Sequence, residues 1–276
     1  ARAHGLTFYN VRSHQGGLRN VIVRTASTGQ VMVTVSFGAQ SSAEQREGLL
    51  SYLQGRFPEI TSLQYAVNGK QNDVLYDLDI SVFAGQPYIV EQLGDVRFHV
   101  GPKSFFQTNT AQALALYETA REFAGLTGQE TVYDLYTGLG SIACFVAGHS
   151  ARVIGIEEVE PAVEDARVNA RINGFDHLHF YAGDVKALLT DQLVAQHGAP
   201  DVVITDPPRA GMHPKVVETL LALNPPRIVY VSCNPATQAR DLALMAGQYA
   251  VLKSRAVDMF PHTHHIENVV LLERKP

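Results

Sequence analysis

From "SFFQTNTAQALALYETAREFAGL" onward the chain repeats one pattern, a short apolar run followed by a helical stretch. The runs are "TVYDLY", "RVIGIE", "LHFYAGD", "DVVITDPP", "RIVYVSC" and "NVVLLER". Strands that alternate with helices cannot close as simple hairpins; they build a mainly parallel sheet covered on both faces. An α/β domain of Rossmann-like type is therefore expected over residues 95–276. Residues 1–94 have another texture. "NVIVRTASTGQVMVTVSF" alternates apolar and polar positions around "STGQ" and reads as a hairpin, "SAEQREGLLSYLQGRF" reads as a helix, and "SLQYAVN" and "DVLYDLDISVF" read as further strands. This is a smaller α+β domain. "YIVEQLGDVRFHV", turning at Gly94 and Asp95, reads as the hairpin at the boundary.

A chain of 276 residues with 46% hydrophobic content can bury a large core. No run approaches the ~18 unbroken apolar residues of a membrane span, and "ARAHGLTFYN" lacks the apolar core of a signal peptide, so a cytoplasmic protein with no membrane partner is expected. The two cysteines, Cys144 and Cys233, lie in different motifs and offer neither a disulfide framework nor a four-cysteine metal site. The net charge of -5 argues against bulk electrostatic capture of nucleic acid. Its distribution argues otherwise: residues 1–43 contain no Asp or Glu, but carry Arg2, Arg12, Arg19, Arg24, His4 and His14, the footprint of a local phosphate-binding face or of an ordinary solvated one.

Two regions carry chemistry. "VYDLYTGLGSIACFVA" is a strand, a turn holding Gly138 and Gly140, and a helix start, the place where a doubly wound sheet admits a ligand to its backbone. The turn departs from G-x-G-x-x-G, has Asp134 before it, and is followed by Glu157 after the next strand and Asp184 after the third. Those acids resemble the pattern of class I S-adenosylmethionine-dependent methyltransferases more than that of nicotinamide enzymes. Cys144, among Ala143, Phe145 and Val146, reads as a core residue. In the second region, "VVITDPPRAGM" places Asp206 at a strand end where Pro207 and Pro208 forbid continuation of the ladder, with Arg209 where nitrogen methyltransferases carry an aromatic residue. "RIVYVSC" ends in Cys233, and Asn234 and Pro235 force the chain out of the sheet there. A thiol delivered to the carboxyl edge, close to a helix start, suits a nucleophile. A methyltransferase needs a nucleophile when its target is C5 of uracil, which attacks a methyl donor only after a thiolate adds at C6; a base must then remove the C5 proton. "DMFPHTHHIENVVLLER" offers Glu267 and Asp258 as bases, with His262, His264 and His265 nearby to orient the base, line the substrate pocket or meet phosphate; no supporting carboxylate or Cys completes a metal site.

"SFFQTN", "DLYTGLGSIA", "DPPRAGM", "YVSCNPATQARDL" and "DMFPHTHHIENVVLLER", in that order, closely resemble the RNA uracil-5 methyltransferases that make 5-methyluridine in transfer and ribosomal RNA. The likeness is close over residues 96–276 and looser over the first 95, which resemble the family's central RNA-binding region. It implies Cys233 as the nucleophile on C6 and Glu267 as the base. It implies that Gln107 and Asp206 contact the extruded uracil or S-adenosylmethionine, that Asp134, Tyr136, Gly138, Glu157 and Asp184 surround that cofactor, and that Asp206 takes part in catalysis while Arg209 and His265 meet the substrate. RNA is the implied partner, ribosomal ahead of transfer RNA, and the base must be flipped to react. Many ribosomal members add an N-terminal β-barrel and a four-cysteine iron-sulfur cluster that this sequence lacks; it starts within the region like the family's centre and without Met, so a piece of a longer protein is expected. The alternatives are a catalytically silent RNA-binding fragment that needs a missing region, and, less well supported, a nicotinamide-dependent oxidoreductase.

Overall fold

A computed structural model describes residues 1–276, which divide into two compact units: Ala1–Gln92 with Phe98–Ser104, and Leu93–Arg97 with Phe105–Pro276. The first unit is built on a sheet of order β1-β2-β3-β4, with β1 at Leu18–Thr25, β2 at Val31–Gly38, β3 at Ile60–Asn68 and β4 at Ile80–Gly85. β1 and β2 form the antiparallel hairpin, α1 (Ala43–Arg56) crosses over to make β3 parallel to β2, and β4 returns antiparallel. α1 starts where it does because Ser42 and Gln45 close a reciprocal capping box that satisfies two otherwise orphaned N–H groups. Its Leu49 and Leu50 pack with Val33, Val35, Phe37 and Leu63 of the sheet. "DVLYDLDISVF" is a strand only in its last part: residues 73–79 form a loop tied down by polar contacts. Arg19 is the tie. Its guanidinium, 1% exposed, pairs with Asp73 at 2.9 Å, donates to the carbonyls of Asn68, Lys70 and Asn72, and stacks over the Tyr9 ring at 4.0 Å. Arg24 is also spent internally, donating to the Gly101 carbonyl at 2.7 Å. Two of the four arginines of the acid-free segment thus serve the fold, and Arg2 and Arg12 remain exposed.

β5 (Ile89–Leu93) and β6 (Val96–Val100) form the hairpin around Gly94 and Asp95. The second unit then alternates as expected: α2 (Thr110–Ala124), β7 (Thr131–Leu135), α3 (Ser141–Ala147), β8 (Arg152–Glu157), α4 (Glu160–Ile172), β9 (Leu178–Ala182), α5 (Val185–Leu188), α6 (Asp191–His197), β10 (Val202–Thr205), α7 (Pro214–Leu223), β11 (Arg227–Ser232), α8 (Pro235–Met245), β12 (Tyr249–Val257) and β13 (Glu267–Arg274). The sheet order is β12-β13-β11-β10-β7-β8-β9. Pairings among β9, β8, β7, β10 and β11 are parallel, whereas β13 is antiparallel to both its neighbours. This is the doubly wound, mainly parallel arrangement that the strand-helix alternation predicts. α2, α3 and α4 pack on one face. On the other, Val216, Val217, Leu220 and Met245 from α7 and α8 bury Tyr133, Ile154, Val203, Ile228, Tyr230 and Val270. β12 escapes the sequence pattern because it is an edge strand exposed along most of its length, so it lacks the apolar run that marks the others. No helix is long and apolar enough to cross a membrane.

Arg19→Ala removes a buried cation from four acceptors and should lower stability by about 2–3 kcal/mol, because the loop carbonyls lose charge-assisted bonds. Chemical denaturation measures this; a change under ~0.5 kcal/mol would show that the loop holds without its tie.

Candidate active site

Because β13 alone runs against the other strands, its amino end lies on the same sheet edge as the carboxyl ends of β7, β8, β10 and β11. In open α/β sheets this edge, at the point where strand order reverses beside β7 and β10, is where ligands enter.

At the β7 end, Asp134 is 1% exposed. One carboxylate oxygen, Oδ2, accepts from Thr137 Oγ1 and from the Ala143 amide at 3.1 Å; the other, Oδ1, is buried with no hydrogen-bond partner. Burial pushes the Asp134 carboxyl up to about 7. Tyr136 follows with φ of 64°, a left-handed conformation costly for a side-chain-bearing residue and typical of functional turns. The two glycines of the turn differ. A Cβ on Gly140 would meet Ala166 of α4 at 3.0 Å, whereas one on Gly138 would project into open space. Glu157, at the end of β8, accepts from the Gly138 amide at 3.0 Å and so braces the open side of the turn. Asp184 caps α5, accepting from the Lys186 amide at 3.0 Å and pairing with its ammonium at 2.8 Å; that bond and charge hold its carboxyl below the usual range.

The neighbouring end of the edge holds Asp206, Arg209, Cys233 and Glu267. The Asp206 amide donates to the Leu135 carbonyl at 3.3 Å, so Asp206 sits beside the cofactor turn. β11 stops at Ser232, one residue short of the expected end, and Cys233 opens the turn into α8. The β11/β13 register pairs Ser232 with Asn268; one step further it sets Cys233 opposite Glu267. Directly opposed residues in an antiparallel pair have Cβ atoms roughly 5 Å apart. The two are electrostatically coupled: burial, then the charges of Glu267 and Asp206, raise the Cys233 thiol, and Arg209 alone among charged side chains opposes them. Burial also pushes Glu267 up to about 7, again against Arg209, and burial with the charges of Glu267 and Asp134 holds Asp206 well above the usual carboxylate range. Proximity to a helix start therefore does not leave this thiol ionised; three carboxyls crowd the edge and one exposed arginine answers them.

Arg209 is fixed through its backbone. Asn234 and Thr237, just past Cys233, both donate to the Arg209 carbonyl, at 3.0 and 3.2 Å. Below them, fully buried Asp241 accepts from the Met212 amide at 2.8 Å and from Tyr230 Oη at 2.7 Å, clamping "PPRAGM" onto α8. The guanidinium meets His265 Nδ1 at 3.3 Å, and His264 and His265 stand with ring centroids 4.3 Å apart. Gln107 is buried in the loop before α2. That loop is joined to the segment after β12 by Asn109, which donates to the Met259 carbonyl at 3.2 Å. No group of three or more His, Cys, Asp or Glu is placed to hold a metal ion. Cys144 is fully buried on α3, where burial raises its thiol.

Two residues escaped sequence reasoning. Phe105 is 72% exposed two positions before Gln107, an aromatic face held open to solvent. Tyr117, buried on α2, bonds Ser141 Oγ at 2.9 Å within the fields of Asp206, Asp134 and Glu267. Phe105 was legible only as part of a motif, and Tyr117 reads on the sequence as one more apolar position of an amphipathic helix.

Residues 81–275 match the family model described as tRNA (uracil-5-)-methyltransferase. The chain belongs to that family. Its relatives include an uncharacterized RNA methyltransferase of Bacteroides thetaiotaomicron, 57% identical over 99% of this chain and 61% of the relative, and another of Porphyromonas gingivalis, 57% identical over 97% of this chain and 58% of the relative. The chain thus spans about three fifths of the length of these curated relatives. Among solved structures, the tRNA (uracil-54, C5)-methyltransferase of Pyrococcus abyssi in complex with S-adenosyl-L-homocysteine aligns with a TM-score of 0.84 at 33% identity, covering 98% of this chain and 64% of that one.

The folded pKa of Glu267 lies above the unfolded value, so the folded state keeps the proton to higher pH and the residue weakens folding as pH rises from 4.5 to about 7. Glu267→Gln should therefore stabilise the protein by about 2–3 kcal/mol near pH ~8 and change little near pH ~4. Thermal melts at the two pH values test this, and equal shifts at both would show that the carboxyl carries no buried charge.

Proposed function

We propose that the protein transfers a methyl group from S-adenosylmethionine to C5 of a uridine in RNA, with Cys233 as nucleophile and Glu267 as base. The observation that carries this reading is the β11/β13 register, which sets a half-buried thiol opposite a buried carboxyl of raised pKa on the ligand edge of the sheet. A group that adds and a group that removes a proton are what C5 chemistry requires and nitrogen methylation does not.

The residues fit the cofactor. Asp134 Oδ1 lacks a partner, Gly138 leaves space for a ligand, and burial lifts the carboxyls of Asp134, Asp206 and Glu267 well above their usual range. A ligand with a sulfonium and an ammonium suits that surplus; the anionic pyrophosphate of a nicotinamide dinucleotide does not. When bound, S-adenosylmethionine supplies an electrophilic methyl group. Asp134, Tyr136, Gly138, Glu157 and Asp184 would line its site, Glu157 and Asp184 being the carboxylates available to ribose hydroxyls.

On the substrate side, Phe105 offers a stacking face to a flipped base, and Gln107 and Asp206 offer hydrogen bonds to its edge; a protonated Asp206 is a donor, which its raised pKa permits. Arg209 and His265 face the charge that develops on the ring or its phosphate. Cys233 Sγ bonds C6 as a thiolate, moving the π pair to C5, which becomes nucleophilic enough to accept the methyl group. Glu267 then takes the C5 proton, the C–H pair restores the double bond, and the bond from Cys233 to C6 breaks to return the thiolate. Glu267 and Asp206 both oppose ionisation of Cys233 and Arg209 favours it, so positive charge held by those two carboxyls would ease formation of the thiolate. The first 94 residues we assign to RNA contact, and the activity to the cytoplasm. The sequence resemblance puts ribosomal ahead of transfer RNA as substrate, whereas the likeness to the tRNA (uracil-54, C5)-methyltransferase of Pyrococcus abyssi favours transfer RNA.

Ribosomal and transfer RNA transcribed with 5-fluorouridine should each be incubated with protein and S-adenosylmethionine and resolved on denaturing gels. Fluorine cannot leave as a proton, so the reading expects a stalled covalent complex with one RNA class, absent in Cys233→Ala. A complex that survives Cys233→Ala would refute the nucleophile. RNA binding with no complex, while cofactor is bound, would favour the silent RNA-binding fragment. Calorimetry gives a second check: affinity for S-adenosylmethionine should rise with pH toward about 7 as Asp134 ionises, and Asp134→Asn should flatten that dependence. In the same titration Gly138→Ala should weaken binding at least ~10-fold, an ~1.4 kcal/mol loss, with the fold intact; unchanged affinity would mean the open space is not the cofactor's.

A further inference from the structure

Glu267 and Asn268 are adjacent on β13, so their side chains point to opposite faces of the sheet. Asn268 points toward α8. Its Nδ2 donates to Gln238 Oε1 at 2.7 Å, its Oδ1 accepts from Ser254 Oγ of β12 at 3.1 Å, and its carbonyl accepts from Gln238 Nε2 at 3.2 Å. Gln238, 1% exposed, donates from the same Nε2 to the Tyr230 carbonyl of β11 at 2.9 Å. One buried amide therefore bridges the strand that leads into Cys233 and the strand that begins at Glu267. Gln238 also closes the first turn of the helix after Cys233, its amide donating to the Asn234 carbonyl at 3.1 Å.

A slip of one residue in β13 would exchange the faces of Glu267 and Asn268 and take the carboxyl away from Cys233. The start of a strand is where such a slip or fraying begins, and hydrophobic pattern protects it least. Apolar residues hold β13 further along, at Val269, Val270, Leu271 and Leu272. We infer that the Gln238–Asn268 pair is a register lock whose work is to hold the Glu267 carboxyl opposite Cys233. They are positioning residues: neither reaches the reacting atoms, and both act through Glu267. The lock also explains a buried glutamine on the apolar face of α8, where a leucine would pack without needing any partner. The cost of burying the amide is met by three hydrogen bonds, one anchoring Gln238 to β11 and two, to Asn268, specific to one register of β13.

This inference rests on the proposed function and adds to it a specific kinetic signature. Glu267 is needed only after methyl transfer, so loosening it should slow resolution of the covalent intermediate and spare its formation. With unmodified substrate RNA and S-adenosylmethionine, Asn268→Ala and Gln238→Met should accumulate a denaturant-stable protein–RNA adduct. Release of methylated RNA should fall at least ~10-fold, an ~1.4 kcal/mol loss, while single-turnover methyl incorporation falls less than ~3-fold. The double variant should be no slower than the worse single one. Glu267→Gln is the control that separates the two claims. If it traps adduct and the folded lock variants lose incorporation and release by the same factor, the lock is refuted and the base assignment stands; if it traps none while incorporating methyl groups, the base assignment fails and the lock with it. Should Asn268→Ala not fold by thermal melt, Asn268→Thr, which keeps a strand-compatible side chain with a hydroxyl, takes its place under the same criteria.

Discussion

The antiparallel insertion of β13 between β11 and β12 is the constraint on which the rest of the site depends. A wholly parallel sheet would present only strand ends at its ligand edge, each leading away into a helix. Reversing one strand brings a strand beginning to that edge, and the register then decides which side chain stands opposite the last residue of its neighbour. Here the ladder of two buried strands runs to Ser232 and Asn268, and continuing its register by one residue brings Cys233 opposite Glu267. The ladder holds Glu267 within β13 and ends at Ser232, so Cys233 takes the first position beyond it, at the turn into α8.

Electrostatics follow from that placement. Bringing Asp134, Asp206 and Glu267 to one edge with a thiol and a single exposed arginine leaves carboxyls that hold their protons to high pH. Such an arrangement costs stability, and functional sites commonly carry that kind of local conflict. A ligand carrying positive charge would relieve the conflict, in keeping with the cofactor proposed for this edge.

Much of this was legible in the sequence because the second unit follows the strand-helix period closely, and each chemical residue stands where a proline, glycine or polar residue ends an apolar run. Asp206 before two prolines and Cys233 before Asn234 and Pro235 are such places. What pattern alone does not give is pairing. No periodicity shows that "ENVVLLER" runs antiparallel beside "RIVYVSC", so Glu267 and Asp258 were equivalent until the family resemblance separated them. β12 was invisible because an exposed edge strand carries no apolar alternation. The loop at residues 73–79 read as a strand because Val74, Leu75, Tyr76 and Leu78 are good strand formers; the polar ties of Arg19 override that preference. Arg19 and Arg24 belong to a stretch whose composition fits a phosphate-binding face or an ordinary solvated one, and their internal use is not legible there because side-chain destination is a tertiary property.

The central claim is that Cys233 adds to C6 and that the C5 proton leaves before the thiol does. RNA labelled with tritium at C5 of its uridines tests it directly. The account predicts donor-dependent release of tritium to water, one for each methyl group incorporated, and no release or incorporation with Cys233→Ala. Methyl incorporation with the tritium retained would place the methyl group elsewhere on the RNA and contradict the account.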